Sequence, residues 1–247
     1  MKSQKFLIFL CIFFGSAGFC KFGFVSTGAR PIGIGGAVCG MAEPTAMLVN
    51  PACLSFGTRS QMTYSYATDK EKGDWWTTVY PDVKNGVAAI SFVKRGDEKM
   101  VYFSYGRRGK GKASYGMNLK FVKSKEEEGI GIDSGLLFSP KKRINLGFSV
   151  VNLLSSKVSD ISQDKAFILG VSFKRSERTT LSAQFNHQGK ENAGFFGVEF
   201  IRGDETIRLG VEDSAITLGL GGELFGLDID WAVVRNCHLF SCNYLPK

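Results

Sequence analysis

The feature of this sequence that most restricts its fold is a strict alternation of apolar with small or polar residues, which recurs from residue 59 to the end. In the run ASYGMNLKFVK, which begins at Ala113, every second residue is large and apolar. Because successive side chains of a β-strand point to opposite faces, a period of two predicts a strand with one apolar face. In this run that face consists of Tyr115, Met117, Leu119 and Phe121.

About 14 such runs follow one another, separated by short turns rich in Gly, Pro, Asp and Asn. None of them has convincing helical periodicity. Because hairpin turns join consecutive strands directly, the sheet is predicted to be an antiparallel meander. The predicted strands lie near residues 60–67, 74–80, 86–94, 99–106, 113–123, 130–138, 143–154, 165–174, 178–186, 192–201, 204–211, 215–224, 226–234 and 238–245.

Two architectures accept this pattern. A soluble β-sandwich would bury the apolar face, whereas a transmembrane barrel would expose it to lipid. Strands of about ten residues match a tilted crossing of the bilayer, and a meander of 14 strands leaves costly open edges unless it closes. We therefore predict an all-β fold, an outer-membrane β-barrel of about 14 antiparallel strands. Its interfacial aromatic girdles are predicted to contain Trp75, Trp76, Tyr80, Tyr102, Tyr105, Phe138, Phe200, Trp231 and Tyr244.

The N-terminus has the features of a secretory signal peptide, residues 1–20. Lys2 and Lys5 precede an apolar run, residues 6–14, and small residues follow at which cleavage is expected, after Ala17, Gly18 or Cys20. The apolar run is too short to span a bilayer as a helix. Cleavage and export then predict a location in a bacterial outer membrane, in contact with its lipid.

The chemistry-bearing residues give no indication of an enzyme, a cofactor or a metal site. The sequence contains no G-x-S-x-G elbow, no H-E-x-x-H, no P-loop and no C-x-x-C. His187 and His238 are interpreted as solvated or rim residues. The net charge of about 6 after cleavage is mildly basic and does not by itself indicate nucleic-acid binding, which would need a clustered basic stripe. For Cys39 and Cys53, a disulfide bridge and two packed thiols are equally acceptable.

A set of charged residues is predicted to face the lumen, where opposite charges either pair across the barrel or bind a ligand. Pairing is the commoner arrangement in a narrow lumen. The predicted lumenal residues are Lys120, Asp133, Glu199, Arg208, Glu212, Asp228 and Asp230.

The stretch STGARPIGIGGAVCGMAEPTAMLVNPACLS, residues 26–55, resembles the N-terminal segment of the FadL-type fatty acid transporters and the related PorV/PorQ-type outer-membrane proteins. Strand phrases such as INLGFSVVNLL and ITLGLGGELFGLDIDWAV are similar to the PorV-like branch in particular. This sequence departs from the family pattern at two points. It has a single acidic residue, Glu43, before the Asn-Pro-Ala motif, where the family often has two, and it has Cys53 after the motif in place of the usual glycine. The residues that carry the resemblance are Gly28, Ala29, Arg30, Pro31, Gly33, Gly35, Gly36, Ala37, Ala42, Asn50, Pro51, Ala52 and Leu54.

The resemblance implies that residues 21–58 enter the barrel as a hatch, and that residues 59–247 form the barrel. It also implies a function, a passive channel or binding barrel for hydrophobic or amphipathic small molecules. The alternative, implied by the PorV-like branch, is a barrel without transport that holds or shuttles exported or periplasmic proteins. A soluble secreted β-domain is the third hypothesis. Against a FadL-like mechanism, the turns are too short to form the extracellular loops with which the larger transporters collect their ligands.

Charge is distributed unequally between the predicted turns. An even number of strands places both ends of the barrel chain at one rim, so alternate turns lie at the same rim. The turns at the rim of the chain ends sum to a charge of +8, and those at the opposite rim sum to −1. One explanation is the ordinary solubility of short turns. The other is a basic collar at the rim of the chain ends, which meets anionic lipid headgroups or an acidic partner.

Overall fold

The computed structural model describes residues 28–68, 74–82, 85–124, 127–156 and 164–246. The predicted signal peptide lies outside these residues. The described chain contains 14 strands, at the positions predicted from the alternation. They are β1 (Gln61–Ala67), β2 (Asp74–Asp82), β3 (Gly86–Arg95), β4 (Glu98–Arg108), β5 (Ala113–Ser124), β6 (Glu127–Lys141), β7 (Ile144–Ser155), β8 (Ala166–Ser176), β9 (Thr179–Gln188), β10 (Glu191–Arg202), β11 (Glu205–Glu212), β12 (Ala215–Leu224), β13 (Leu227–Val234) and β14 (Cys237–Tyr244).

The strands form one closed antiparallel barrel in which each strand pairs with its neighbours in sequence and β1 pairs with β14. This confirms the predicted fold class. Closure leaves no open edge, because the backbone groups of the first and last strands bond to each other. Met62 at the start of β1 lies opposite Tyr244 at the end of β14, so both ends of the barrel chain lie at one rim, here called the chain-end rim. The opposite rim is called the distal rim.

The outer surface of the barrel is apolar. Large hydrophobic side chains are exposed along alternate positions of most strands, as Met117 and Phe121 are on β5. A surface of this composition belongs in lipid, as in other transmembrane barrels. In the described part of the chain, no helix has the length and hydropathy needed to cross a membrane.

Two residues predicted for the aromatic girdles face inward instead. Trp75 is 1% exposed and Tyr102 is 5% exposed, and both belong to a buried hydrophobic cluster. The reason is the phase of their strands: Trp75 shares a face with Thr77, and Tyr102 shares a face with Ser104, both of which are buried. Their neighbours in the prediction, Tyr80 and Tyr105, are exposed on the outer surface.

Before the first strand, residues 28–57 form a compact inner segment. It contains a short helix α1 (Ala29–Gly33) and two 3-10 helices, Pro44–Ala46 and Pro51–Phe56. Helix α1 packs against β11 to β14, and the second 3-10 helix packs against β3 to β6. Because these two sets of strands lie on different sides of the barrel, the inner segment crosses the lumen.

Candidate functional site

Asn50 joins the inner segment to the barrel wall. Its side-chain oxygen accepts a hydrogen bond from the Ala52 amide (3.1 Å) and so caps the second 3-10 helix, in which Pro51 takes the first position. Its Nδ2 group donates to the carbonyl of Cys39 (2.8 Å) within the segment and to the carbonyl of Leu136 (3.0 Å) on β6. Asn50 is fully buried, so the Asn-Pro-Ala motif has a structural role as a cap and a wall contact.

A belt of inward-facing glycines receives the inner segment. Several belt glycines lie directly opposite one another on neighbouring strands, as Gly106, Gly116 and Gly135 do on β4, β5 and β6. A Cβ atom at Gly116 would overlap the backbone of Pro51, so glycine is required there for close approach. The sequence analysis did not predict this belt, although its glycines occupy the small or polar positions that alternate with the apolar, lipid-facing residues. They are Gly106, Gly116, Gly135, Gly147, Gly170, Gly197, Gly210 and Gly219.

The belt predicts that Gly116→Val detaches the inner segment while the barrel still closes. Valine suits a strand, but its side chain cannot fit against Pro51. The matched control is Gly194→Val, because a Cβ at Gly194 meets nothing within 4 Å. We expect limited proteolysis to cut the inner segment in the first variant only. Equal protection of the segment in both variants would contradict this prediction.

An ion-pair network, buried at the wall and partly exposed at Arg30, attaches the other end of the inner segment. Arg30 of α1 bonds to both carboxylate oxygens of Glu199 on β10 (3.2 Å each), and its Nη2 lies 2.7 Å from Glu43 of the same segment. Arg208 on β11 contacts Glu199 (2.8 Å) and Asp230 on β13 (2.6 Å). Two arginines and three carboxylates therefore share one network with a net charge of −1, and Arg30 and Glu43 belong to the inner segment.

A second buried ion pair lies on the opposite side of the lumen. Lys120 on β5 contacts Asp133 on β6 at 2.7 Å, and Asp133 also accepts the backbone amide of Asn152 (2.9 Å). Asn152 has a positive φ of 54°, at a register shift between β6 and β7. The carboxylate therefore satisfies a backbone group that the irregular ladder leaves free.

The structure places the predicted lumenal residues in different environments. Five of the seven are buried on inward positions and paired, namely Lys120, Asp133, Glu199, Arg208 and Asp230. Glu212 is half-buried near the distal rim, and Asp228 is exposed near the chain-end rim.

Another sector of the lumen is apolar. Inward-facing side chains on β2 to β5, among them Trp75, Val93 and Met100, pack with Met47, Leu48 and Leu54 of the inner segment. Barrel lumens are ordinarily polar, and smaller groups of apolar wall residues in this barrel lie on β6 to β8 and around β13 and β14. The inner segment thus covers an apolar wall with one face and is held by charges on another. The wall residues of this cluster are Trp75, Val79, Val87, Ala89, Val93, Met100, Tyr102 and Val122.

Cys39 and Cys53 are free thiols, so of the two acceptable arrangements the structure has the packed one. Cys39 Sγ lies 3.9 Å from the Ile168 carbonyl of the wall, and Cys53 Sγ lies 3.6 Å from the Cys39 carbonyl. Burial raises the pKa of the Cys39 thiol to about 12, and it also raises the pKa of Cys53.

These thiols predict a test of the packing of the inner segment. The thiolate is the reactive form, and a raised pKa keeps it rare at pH 8, so iodoacetamide should not modify Cys39 or Cys53 in the folded protein. Reactivity should rise with pH and on heat unfolding. Both cysteines lie on one tryptic peptide that ends at Arg59, so fragmentation of that peptide by tandem mass spectrometry assigns the modification to each cysteine. Fast modification of Cys39 at pH 8 in the intact barrel would contradict the packing described above.

The two histidines lie away from the lumenal network. His187 on β9 is exposed and bonds through Nδ1 to Asn192 (2.8 Å). His238 on β14 stacks on Trp231, with ring centroids 5.8 Å apart. Within the described residues, no group of three His, Cys, Asp or Glu side chains is arranged to bind a metal ion.

Comparison with known proteins places this geometry in a structural context. No family model and no curated protein matches the chain. The toluene transporter TbuX of Ralstonia pickettii matches with a TM-score of 0.68 and 11% identity, over 91% of this chain and 99% of that one. The toluene transporter TodX of P. putida gives 0.68 and 11% over 90% and 99%, and a Pseudomonas aeruginosa FadL homologue gives 0.62 and 12% over 88% and 97%.

Identities of 11–12% establish a shared fold and no more. The neighbours give no support to the PorV-like branch that the strand phrases suggested. The chain has the 14-stranded barrel fold of the FadL-type outer-membrane hydrocarbon transporters.

Proposed function

We propose that this protein is a passive outer-membrane channel for small hydrophobic molecules, and that the inner segment is its hatch. The observation that carries the proposal is the apolar sector of the lumen on β2 to β5, which Met47, Leu48 and Leu54 cover. When the inner segment moves away, this wall becomes available to an apolar solute. Neighbours with the same fold are toluene transporters, which supports the same class of solute.

The connectivity of the barrel supports a displaceable segment. Buried hydrogen bonds and ion pairs hold residues 28–57 to the wall, and the segment inserts no strand into the closed sheet. The barrel ladder therefore stays intact when the segment moves. Movement down a gradient needs only an open path, so transport is proposed to be passive.

No observation favours the alternative in which the barrel holds or shuttles exported proteins. The residues that define the site lie inside the barrel, where a folded protein does not reach them. An apolar molecule the size of a single aromatic ring is the solute that we propose.

Uptake by whole cells tests this function. Cells that lack other hydrocarbon channels are given a radiolabelled monoaromatic hydrocarbon, with and without the protein, and initial uptake is measured. We expect faster uptake with the protein, and no change for a radiolabelled sugar of similar size. Equal hydrocarbon uptake by both strains, with the barrel present in the outer membrane, would refute the proposed function.

A further inference from the structure

The chain-end rim carries a group of exposed cations on the turns between β4 and β9. Some of the basic residues there have protein partners, as Lys112 does with the Pro140 carbonyl (2.7 Å) and Lys174 does with Glu177 (2.6 Å). For others, no side-chain bond is found among the described residues. These exposed cations are Arg107, Lys110, Lys141, Lys142 and Arg175.

At the distal rim the described basic residues are more often paired with acids. Arg95 contacts Glu98 (3.0 Å), Lys123 contacts Glu128 (2.7 Å) and Arg235 lies 3.6 Å from Asp213. Among the residues that the structure describes, the excess positive charge of the turns lies at the chain-end rim.

Several cations of the chain-end rim stand beside outward-facing aromatic rings. Arg107 follows Tyr105 on the outer face of β4 and lies directly opposite Tyr115 on β5. The two rings are 41% and 44% exposed, so both lie on the lipid-facing surface. The Tyr105 hydroxyl donates to the Asn85 carbonyl, which fixes that ring at the level of the β2–β3 turn. Phe173 and Arg175, both exposed, also stand two residues apart near the end of β8, where the register with β9 shifts.

An outward cation next to an interfacial ring matches the chemistry of a phospholipid headgroup. Aromatic rings prefer the membrane interface, and an arginine fork matches the oxygens of a phosphate. We propose that Arg107, Lys141 and Arg175 bind the phosphate groups of anionic phospholipids in the leaflet that surrounds the chain-end rim. The outward direction of Arg107 on β4 favours lipid over a protein below the barrel. This proposal is independent of what passes through the lumen.

Lipid titration in detergent, followed by native mass spectrometry, tests the proposal. The test variant is Arg107→Gln with Lys141→Gln and Arg175→Gln. The control, Lys94→Gln with Lys99→Gln and Lys190→Gln, removes the same charge from exposed distal positions. Each cation near an anionic surface contributes about fivefold in affinity, so we expect on the order of 100-fold weaker phosphatidylglycerol binding in the test variant. The control should bind like the unchanged protein.

Three outcomes would overturn the proposal. Equal losses in both variants would mean a general effect of net charge. Equal binding of phosphatidylglycerol and phosphatidylcholine by the unchanged protein would mean that anionic headgroups are not selected. Full competition by inorganic phosphate at equal concentration would mean a site for free phosphate rather than lipid. The shift in gel mobility on heating shows that both variants are folded barrels.

Discussion

Deletion of residues 28–57 is expected to raise the leak of small polar solutes through the barrel by on the order of tenfold or more. The segment crosses the lumen from β11–β14 to β3–β6 and fills it with buried side chains. Its removal leaves a water-accessible passage inside a ladder that closes without it. The measurement is efflux of a small dye from liposomes that contain the purified barrel.

The deletion also exposes the glycine belt and the apolar sector, so folding of the variant is checked first by its shift in gel mobility on heating. A folded deletion variant with the same leak as the full chain would show that the segment does not close the lumen.

Replacement of Arg30 by Met is expected to release α1 from the wall. Arg30 is one of two cations among three carboxylates, so its loss leaves Glu43, Glu199 and Asp230 with Arg208 alone. Breaking a fully buried ion pair by removal of one partner typically costs about 3–5 kcal/mol. The Arg30 side chain is 30% exposed and Glu199 keeps its contact with Arg208, so we expect a smaller loss of stability here. We expect protease-sensitive α1 and a raised dye leak.

The double variant Arg30→Met with Glu43→Gln separates the effect of the network's net charge from the effect of losing the Arg30 contacts. It leaves Arg208 with Glu199 and Asp230, which restores the original net charge of the network. We expect a large part of the protection to return. If the double variant leaks as much as Arg30→Met, the geometry of the Arg30 contacts, and not the charge balance, holds the segment.

The strands could be predicted because each one obeys a local rule, with an apolar face toward lipid and a small or polar face toward the lumen. The rule failed for Trp75 and Tyr102, which were assigned to girdles by their closeness to strand ends. Their phase places them inside, where Trp75 packs in the apolar lumen sector while its indole N–H has no hydrogen-bond partner. The position of a residue along its strand predicts its depth in the membrane, whereas its place in the alternation predicts whether its side chain faces the lipid or the lumen.

The site was only partly predictable. Asn50 and its neighbours stand out as a local motif, and their cap is a local interaction. The partner of Arg30 is 169 residues away, so it depends on barrel closure and register. The glycine belt likewise becomes visible only when the strands are aligned, because single glycines in a strand have many explanations.

A reversible crosslink between the inner segment and the wall tests the hatch most directly. The Ala29 amide donates to Ser241 Oγ on β14 (2.7 Å), so Ala29→Cys with Ser241→Cys is expected to form a disulfide on oxidation. Because residue 57 continues into β1, the crosslink would fix both ends of the segment. Ser241→Cys alone is the control, and mass spectrometry measures the crosslinked fraction. We predict that hydrocarbon uptake falls to the level of cells without the protein when the pair is oxidised, and recovers on reduction. Unchanged uptake by a fully crosslinked barrel would contradict a hatch that must move.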